Sequence, residues 1–259
     1  MKNDIEKSIS DSLETDISLL PYMPFLLQDM WALGCSEEDI ICSVGSLDLT
    51  PECSRILDLG CGKGALCVQI ASQYTYKAVG IDVMPSFLKE AVRRAEEYRV
   101  SQLCQFVQQD IREYVRLDHA FDVVILASLG GIFGSIQNTV SRLRTQVRSG
   151  GYMIIDDGYL NEASFLERKG YEHYRNYDET IRELTSFGDQ VIQEVNTSEF
   201  SKELNVTYLG LIKKRGKELI ARHPEIEKDI ESYINLQSEE CQVLDTQIEG
   251  ALWVVQKKE

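Results

Sequence analysis

Short apolar runs alternate with amphipathic segments through the middle of the chain. The apolar runs predict buried strands; they are RILDLG, KAVGID, QLCQFVQQD, FDVVILAS and YMIIDD, beginning at residues 55, 77, 102, 121 and 152. Between them, apolar residues recur at helical spacing over residues 64–74, 85–100 and 136–150, the last closed by glycine. Strands that alternate with helices in this way predict an α/β fold, with a parallel sheet covered by helices on both faces.

The two ends of the chain show different patterns. Residues 1–50 predict an N-terminal helical extension, which leaves residues 51–259 as the main domain. Near the C-terminus, two further strand patterns, DQVIQEVNTS and IEGALWVVQKK, flank a helical stretch over about residues 199–246 that is interrupted at His223-Pro224. The chain is therefore predicted to end in two strands at a sheet edge, with a helical cap inserted between them.

Composition and charge restrict the class of partner. The 259 residues are 43% hydrophobic and 27% charged, as in ordinary globular proteins, and the formal net charge is −15. Such an acidic chain is not expected to bind nucleic acid, which requires a basic surface. No apolar run has the length of a membrane span. The seven cysteines include no C-x-x-C pair, so we predict free thiols in the cytoplasm and no metal site.

A glycine-rich loop follows the first predicted strand, in the sequence ILDLGCGKGALC. Gly60, Gly62 and Gly64 come after Asp58 and lead directly into a helix. Without Cβ atoms the backbone can turn sharply and approach a ligand, and the start of a helix offers free N–H groups. One ligand that fits this pattern is a dinucleotide, held by the same loop and by the acid at Asp82.

Three acids lie where successive predicted strands end: Asp58, Asp82 and Asp110. Ligands of open α/β sheets bind at these strand ends. The carboxylate of Asp58 would repel a pyrophosphate but suits an ammonium group. Asp82 is placed to bind ribose hydroxyls, and Asp110 to bind the exocyclic amine of adenine. Together the acids favour a nucleoside with a cationic amino-acid tail, although Asp58 alone could cap the next helix and Asp82 alone could begin a turn before Pro85.

With these motifs, residues 55–157 resemble the class I S-adenosylmethionine-dependent methyltransferases, whose motif hydrophobic-D-x-G-x-G-x-G is matched in full by Leu57–Gly64. The resemblance implies a Rossmann-like seven-stranded sheet with an antiparallel last strand. It also implies S-adenosyl-L-methionine as cofactor, with S-adenosyl-L-homocysteine as its product. The residues it implies around the cofactor are Asp58, Gly60, Cys61, Gly62 and Gly64 at the methionine end, Asp82 at the ribose, Val83, Asp110 and Ile111 around the adenine, and Ala127 near the methionine moiety.

The methyl acceptor is expected beyond the fourth and fifth strands, under the cap. The sequence SLGGIFGS after the fourth strand lacks the [DNS]-P-P-[YFW] motif of enzymes that methylate planar amino groups in nucleic acids or glutamine. The candidates for a catalytic base are Asp157 and His173. The candidates for contact with the substrate are Tyr22, Asp156 and Tyr159. Four of these five have a structural alternative: the aspartates could cap a helix or be solvated, His173 could be an ordinary polar residue, and Tyr22 could belong to the core.

The predicted function is transfer of a methyl group from S-adenosylmethionine to an N, O or C atom of a small molecule. Three alternatives remain open. The first is an NAD-dependent oxidoreductase that uses the same glycine loop, and the second is a non-catalytic protein that binds S-adenosylmethionine. The third is an enzyme that methylates a protein. The acceptor and the oligomeric state do not follow from the sequence.

Overall fold

Seven strands form one sheet in the computed structural model, which describes residues 7, 9–10, 13, 15–161, 166, 168 and 170–258. The strands are β1 (Arg55–Leu59), β2 (Lys77–Asp82), β3 (Cys104–Gln108), β4 (Phe121–Ala127), β5 (Val147–Leu160), β6 (Gln190–Asn196) and β7 (Ile248–Gln256). Their order in the sheet is β3-β2-β1-β4-β5-β7-β6. Strands β1 to β5 pair in parallel, whereas β7 is antiparallel to both β5 and β6. The predicted seven-stranded sheet and its antiparallel last strand are confirmed.

Helices cover both faces of this sheet. They are α1 (Met23–Leu26), α2 (Glu37–Ser46), α3 (Ala65–Tyr74), α4 (Pro85–Glu97), α5 (Ile111–Tyr114), α6 (Ile136–Arg144), α7 (Tyr177–Leu184), α8 (Ser198–Arg222) and α9 (Glu227–Gln247), with 3₁₀ helices at Ile17–Tyr22 and Pro224–Ile226. In the described part of the chain, none of the helices combines the length and the apolar character needed to cross a membrane.

Apolar residues on both sides of the central strands form the core. In β1, Leu57 and Leu59 pack on the face that carries α6, and Ile56 packs on the face that carries α2 and α3. Helices α8 and α9 are inserted between β6 and β7, as predicted. They pack against the N-terminal helices through Leu19, Met23, Leu26, Ile212, Ile230 and Tyr233. We call α8, α9, the first 3₁₀ helix and α1 together the cap.

The helix predicted over residues 136–150 is wrong at its C-terminal end. Helix α6 ends at Arg144, and β5 begins at Val147, which pairs with the start of β4. The backbone N–H of Gly150 then donates to the carbonyl of Lys257 at 3.1 Å. The backbone of residues 147–150 therefore bonds to the neighbouring segments of the sheet, and it does not continue helix α6.

The predicted fifth strand is too short. Strand β5 continues to Leu160, because β7 pairs with it residue by residue as far as Leu160 opposite Ile248. Asp156, Asp157 and Tyr159 therefore lie inside the strand rather than after it, and the aspartates do not cap a helix. Successive side chains of a strand point to opposite faces, so Asp156 and Asp157 belong to different sides of the sheet.

Candidate active site

The glycine loop joins β1 to α3 through backbone conformations that favour glycine. Gly60, Gly62 and Gly64 have φ angles of +78°, +51° and +72°. A Cβ atom on Gly60 would lie 2.4 Å from Leu129 Cδ1, and one on Gly64 would lie 2.7 Å from Ala91 Cβ in α4. Gly64 therefore serves the turn and the packing of α3 on α4, and it does not line the cavity described below.

Asp58 is the most buried of the three predicted cofactor-binding acids. It is only 3% exposed, and its carboxylate accepts a hydrogen bond from the Cys67 thiol at 3.6 Å. Burial, opposed by this hydrogen bond, raises the Asp58 pKa to about 7. Helix α3 has Gly64 as its N-cap, so the alternative that Asp58 caps this helix is wrong. A buried carboxylate with so weak a donor suits a cationic ligand group.

Asp82 and Asp110 hold backbone turns while they face the cavity. The Asp82 carboxylate accepts hydrogen bonds from the N–H groups of Gly62 and Met84, each at 2.8 Å, so it fixes the glycine loop and its own turn. The turn suggested as an alternative for Asp82 is thus confirmed, and it coexists with the cavity-facing position. Asp110 pairs with the Arg112 guanidinium at 2.6 Å, and this partner lowers the Asp110 pKa.

One cavity of about 1220 Å³ extends from the glycine loop to the cap. Ligand cavities commonly measure about 300–1,000 Å³, so this one has room for a cofactor and a small acceptor together. All the predicted cofactor-binding residues except Gly64 line it, namely Asp58, Gly60, Cys61, Gly62, Asp82, Val83, Asp110, Ile111 and Ala127. The strand ends therefore bring these residues to one place, as the sequence indicated.

Lys63, which the sequence analysis did not single out, ties the N-terminal segment to the glycine loop. Its ammonium group donates to the backbone carbonyls of Leu27 and Met30, the latter at 2.6 Å, and the Trp31 indole donates to the Lys63 carbonyl at 3.0 Å. Desolvation lowers the Lys63 pKa to about 8. The only signal of this role in the sequence is the presence of a lysine within the glycine loop. Its partners Leu27 and Met30 lie 36 and 33 residues earlier and belong to no recognisable motif.

Asp157 and His173, the two predicted catalytic residues, lie beside each other in the cavity wall. His173 Nε2 is 3.5 Å from Asp157 Oδ2, and the two side chains are 4% and 8% exposed. Among the described residues, neither ring nitrogen of His173 has a hydrogen-bond partner. The ring fits against the loop after β4 because a Cβ on Gly131 would lie 2.7 Å from Nδ1. Burial raises the pKa of the adjoining Tyr174 well above its usual value, and Asp157 adds to this effect.

Asp156, a predicted substrate contact, joins the N-terminal segment to β5. Its carboxylate accepts the backbone N–H of Ser36, at the start of α2, at 2.9 Å. Burial raises the Asp156 pKa to about 7. The residue also lines the cavity. Asp156 therefore places a carboxylate in the cavity wall and also holds the start of α2 against β5.

The two tyrosines predicted to contact the substrate lie away from the cavity wall. The ring of Tyr159 packs edge-on against that of Tyr177, with ring centroids 5.0 Å apart, because its place in β5 directs it to the sheet face that carries α7. The ring of Tyr22 packs 5.4 Å from that of His223, within the cap. Neither Tyr22 nor Tyr159 lines the cavity, so the structure does not support their predicted contact with an acceptor.

A hydrogen-bonded network that the sequence analysis missed forms part of the cavity wall in the cap. Gln237 donates to Glu240 at 3.1 Å, and the Tyr171 hydroxyl donates to the same carboxylate. The Tyr208 hydroxyl donates to Gln237 at 3.0 Å and lies 3.5 Å from the Tyr233 hydroxyl. Positions 233, 237 and 240 share one face of α9, and this spacing is the signal that could have revealed them.

A comparison with protein families matches residues 52–222 to a family described as a methyltransferase domain. The matched region contains the glycine loop, the three acids and strands β1 to β6. The chain therefore belongs to this family. Membership confirms the family and the enzyme class predicted from the loop and its acids, and it gives no support to the oxidoreductase alternative.

Individual relatives are more distant. The uncharacterised protein YjhP of Escherichia coli is 33% identical over 114 residues, which is 44% of this chain and 46% of that relative. The alignments thus span less than half the length of the curated relatives.

Two solved structures are similar over most of this chain. A SAM-dependent methyltransferase from Geobacter sulfurreducens, in complex with S-adenosylhomocysteine, has a TM-score of 0.77 at 19% identity over 91% of this chain and 97% of that chain. Haemonchus contortus phosphoethanolamine N-methyltransferase 2, in complex with phosphomonomethylethanolamine and S-adenosylhomocysteine, has a TM-score of 0.70 at 15% identity over 98% of this chain and 60% of that chain. At such identities the likeness shows a shared fold.

Proposed function

We propose that the chain transfers a methyl group from S-adenosylmethionine to a small molecule held under the cap. The observation that carries this proposal is the single cavity that joins the glycine loop and its acids to the buried pair of Asp157 and His173. A cavity lined by the helices of a cap suits a small acceptor better than a polymer, and the net charge of −15 disfavours a nucleic acid. The free cysteines fit a reducing compartment such as the cytoplasm.

The residues of the cavity fit the proposed cofactor. The buried Asp58 carboxylate suits the ammonium group of a methionine moiety, the glycine loop allows close approach of the backbone, and Asp82 and Asp110 offer carboxylates to ribose and adenine. Complexes of similar folds with S-adenosylhomocysteine support this assignment. When bound, S-adenosylmethionine supplies a methyl group whose bond to sulfur breaks, with the electron pair left on sulfur, as an acceptor lone pair bonds to the carbon.

This chain would assist the transfer by orientation and by proton removal. Holding two reactants in line can lower a barrier by about 7–11 kcal/mol, and the cap with the Lys63 contacts would exclude water. Where the acceptor atom carries a proton, His173, whose buried ring nitrogens have no hydrogen-bond partner among the described residues, would accept it. The Asp157 carboxylate would then stabilise the resulting imidazolium.

Calorimetric titration of the cofactor-free protein with S-adenosylhomocysteine tests the proposal, with NAD as the competing ligand. We expect S-adenosylhomocysteine to bind and NAD not to bind. The substitution Asp82→Asn keeps an oxygen for the N–H of Gly62 but removes the charge, so it should weaken binding about tenfold. Asp48→Asn, at an exposed position, is the matched control and should bind as the parent protein does.

The outcomes separate the alternatives. Binding of NAD in preference to S-adenosylhomocysteine would overturn the proposed cofactor. Equal weakening by Asp48→Asn and Asp82→Asn would remove the assignment of the site. Binding of S-adenosylhomocysteine without methyl transfer to any acceptor of a broad metabolite mixture would favour the non-catalytic alternative.

A further inference from the structure

Tyrosine and carboxylate side chains contribute to the part of the cavity wall beyond the cofactor-binding residues, among apolar and small polar side chains. In the described part of the chain they include Tyr171, Tyr174, Tyr208, Tyr233, Asp157 and Glu240. Tyrosine rings and carboxylates are the groups that bind ammonium ions in proteins, the rings through their negative faces and the carboxylates through charge. The chemistry of this wall thus favours a ligand with a positive charge.

The basic side chains near the wall offset only part of its charge. The Lys63 ammonium is engaged by two backbone carbonyls, and Arg112 is paired with Asp110. Arg168 lines the cavity, with its guanidinium 5.3 Å from the centroid of the Tyr171 ring, and Lys202 is exposed on α8 at the edge of the cavity. The carboxylates Asp156, Asp157 and Glu240 line the same wall, so an anionic acceptor would meet more negative than positive side chains.

His173 adds a second and independent observation. It is 5% exposed, it lines the cavity, and neither of its ring nitrogens has a hydrogen-bond partner among the described residues. A buried polar group normally has such a partner, so an unpartnered imidazole in the wall of a cavity indicates a ligand that carries an N–H or O–H group. Because the wall is acidic, the N–H group of an ammonium ion fits it better than a neutral O–H group.

We infer that the methyl acceptor is a small amine, positively charged in water, which the tyrosines and Glu240 bind and which His173 deprotonates. This inference rests on the proposed methyl transfer. An ammonium nitrogen has no lone pair, so one of its protons must first pass to a His173 ring nitrogen, beside Asp157. The amine lone pair then forms the bond to the methyl carbon while the carbon–sulfur bond breaks and leaves its electrons on sulfur. The methylated nitrogen is again cationic, so the same wall holds substrate and product.

The charge of the ligand can be tested with probes of one shape. The protonated 3,3-dimethylbutan-1-amine, 3,3-dimethylbutan-1-ol and 3,3-dimethylbutanoate share a branched carbon skeleton and differ in the charge of the group at its end. Each is titrated calorimetrically into protein saturated with S-adenosylhomocysteine. We expect the amine to bind at least about tenfold more tightly than the neutral alcohol, and the carboxylate not to bind. Equal or tighter binding of the alcohol or the carboxylate would overturn the inference, as would the absence of amine binding.

The same experiment distinguishes this inference from the proposal on which it rests. If S-adenosylhomocysteine fails to bind, the proposed function itself fails. If it binds and the amine probe is not preferred, the proposed function stands and the amine inference alone is refuted.

A substitution in α9 tests whether the acidic cavity wall causes the preference for a cationic ligand. Glu240→Gln removes one charge and keeps the size of the side chain, so it should weaken binding of the amine probe about tenfold and leave the affinity for S-adenosylhomocysteine unchanged. Glu239→Gln, at the exposed neighbouring position, makes the same change of net charge and should have no effect. An equal effect of the two substitutions, or none from Glu240→Gln, would contradict the assignment.

Discussion

Asp58→Asn is expected to stabilise the cofactor-free protein while it weakens cofactor binding. Burial raises the Asp58 pKa from 3.8 to about 7, so the ionised carboxylate carries about 4 kcal/mol of unfavourable free energy in the folded state at pH 8. An asparagine avoids this cost. Its amide loses part of the contact with the Cys67 thiol, which costs about 1 kcal/mol. The net gain at pH 8 is therefore about 3 kcal/mol.

The dependence of this gain on pH separates ionisation from packing. Because the folded-state pKa of Asp58 is raised, the native protein binds more protons than the unfolded chain between about pH 4 and pH 7. The contribution of Asp58 to stability is thus fully present below its unfolded-state pKa and is lost as pH rises through about 7. At pH 5 the cost of ionisation is only about 2 kcal/mol, and the net gain from the substitution falls to about 1 kcal/mol.

Urea unfolding of the parent and Asp58→Asn proteins between pH 5 and pH 8 measures these gains. Asp156, whose pKa is also raised to about 7, is common to both proteins and cancels in the difference. Asp48→Asn, at an exposed position, should show no gain that depends on pH. A gain that is the same at both pH values would refute the burial of an ionisable Asp58. The substitution should also weaken S-adenosylhomocysteine binding by about tenfold or more, since it removes a charged hydrogen-bond acceptor.

Three further predictions concern the glycine loop and the cap. Lys63→Met removes the donors to two backbone carbonyls, so it should lower stability by about 2 kcal/mol and speed the dissociation of S-adenosylhomocysteine. Urea unfolding and stopped-flow displacement measure these two effects. Lys89→Met, at an exposed position, should show neither. Gly60→Ala forces a side chain into a left-handed conformation and against Leu129, so it should lower stability by about 1–2 kcal/mol and abolish binding. Gly210→Ala, where a helical Cβ would meet open space, should instead raise stability by about 0.5–1 kcal/mol without affecting binding; destabilisation there would contradict the helix argument.

The strands and the cofactor-binding loop could be predicted because their signals are local. Each of β1, β2 and β4 is a short apolar run, and Asp58 and Asp82 lie within the last two residues of β1 and β2. The positive φ angles of Gly60 and Gly62 follow from the same local pattern. Asp58 and Asp82 could be placed together because parallel strands end at one edge of the sheet. The alternating strands and helices then fix the neighbourhood of the loop without knowledge of any distant contact.

The boundaries of β5 and the acceptor side of the cavity depend on distant partners. The extension of β5 to Leu160 needs β7, which begins at Ile248, and nothing near residue 158 signals it. Tyr159 was predicted to lie at the cavity on the premise that the fifth strand ends before it. In the structure β5 continues, and the alternation of side chains along the strand directs Tyr159 toward Tyr177. Lys63 and Glu240 were missed since their partners lie on other segments of the chain.

The position of the buried acids links the stability of the fold to its binding properties. Ionised Asp58 and Asp156 are unfavourable at neutral pH in the free protein, and fully buried apolar residues such as Leu57 and Trp253 offset that cost. A cationic group beside Asp58 lowers its pKa again, so free energy lost on folding is recovered on binding. An apolar residue at position 58 would give a more stable sheet and no such recovery. The acid at the end of β1 is therefore explained by the ligand and not by the fold, which is the physical reason why this motif predicts function as well as structure.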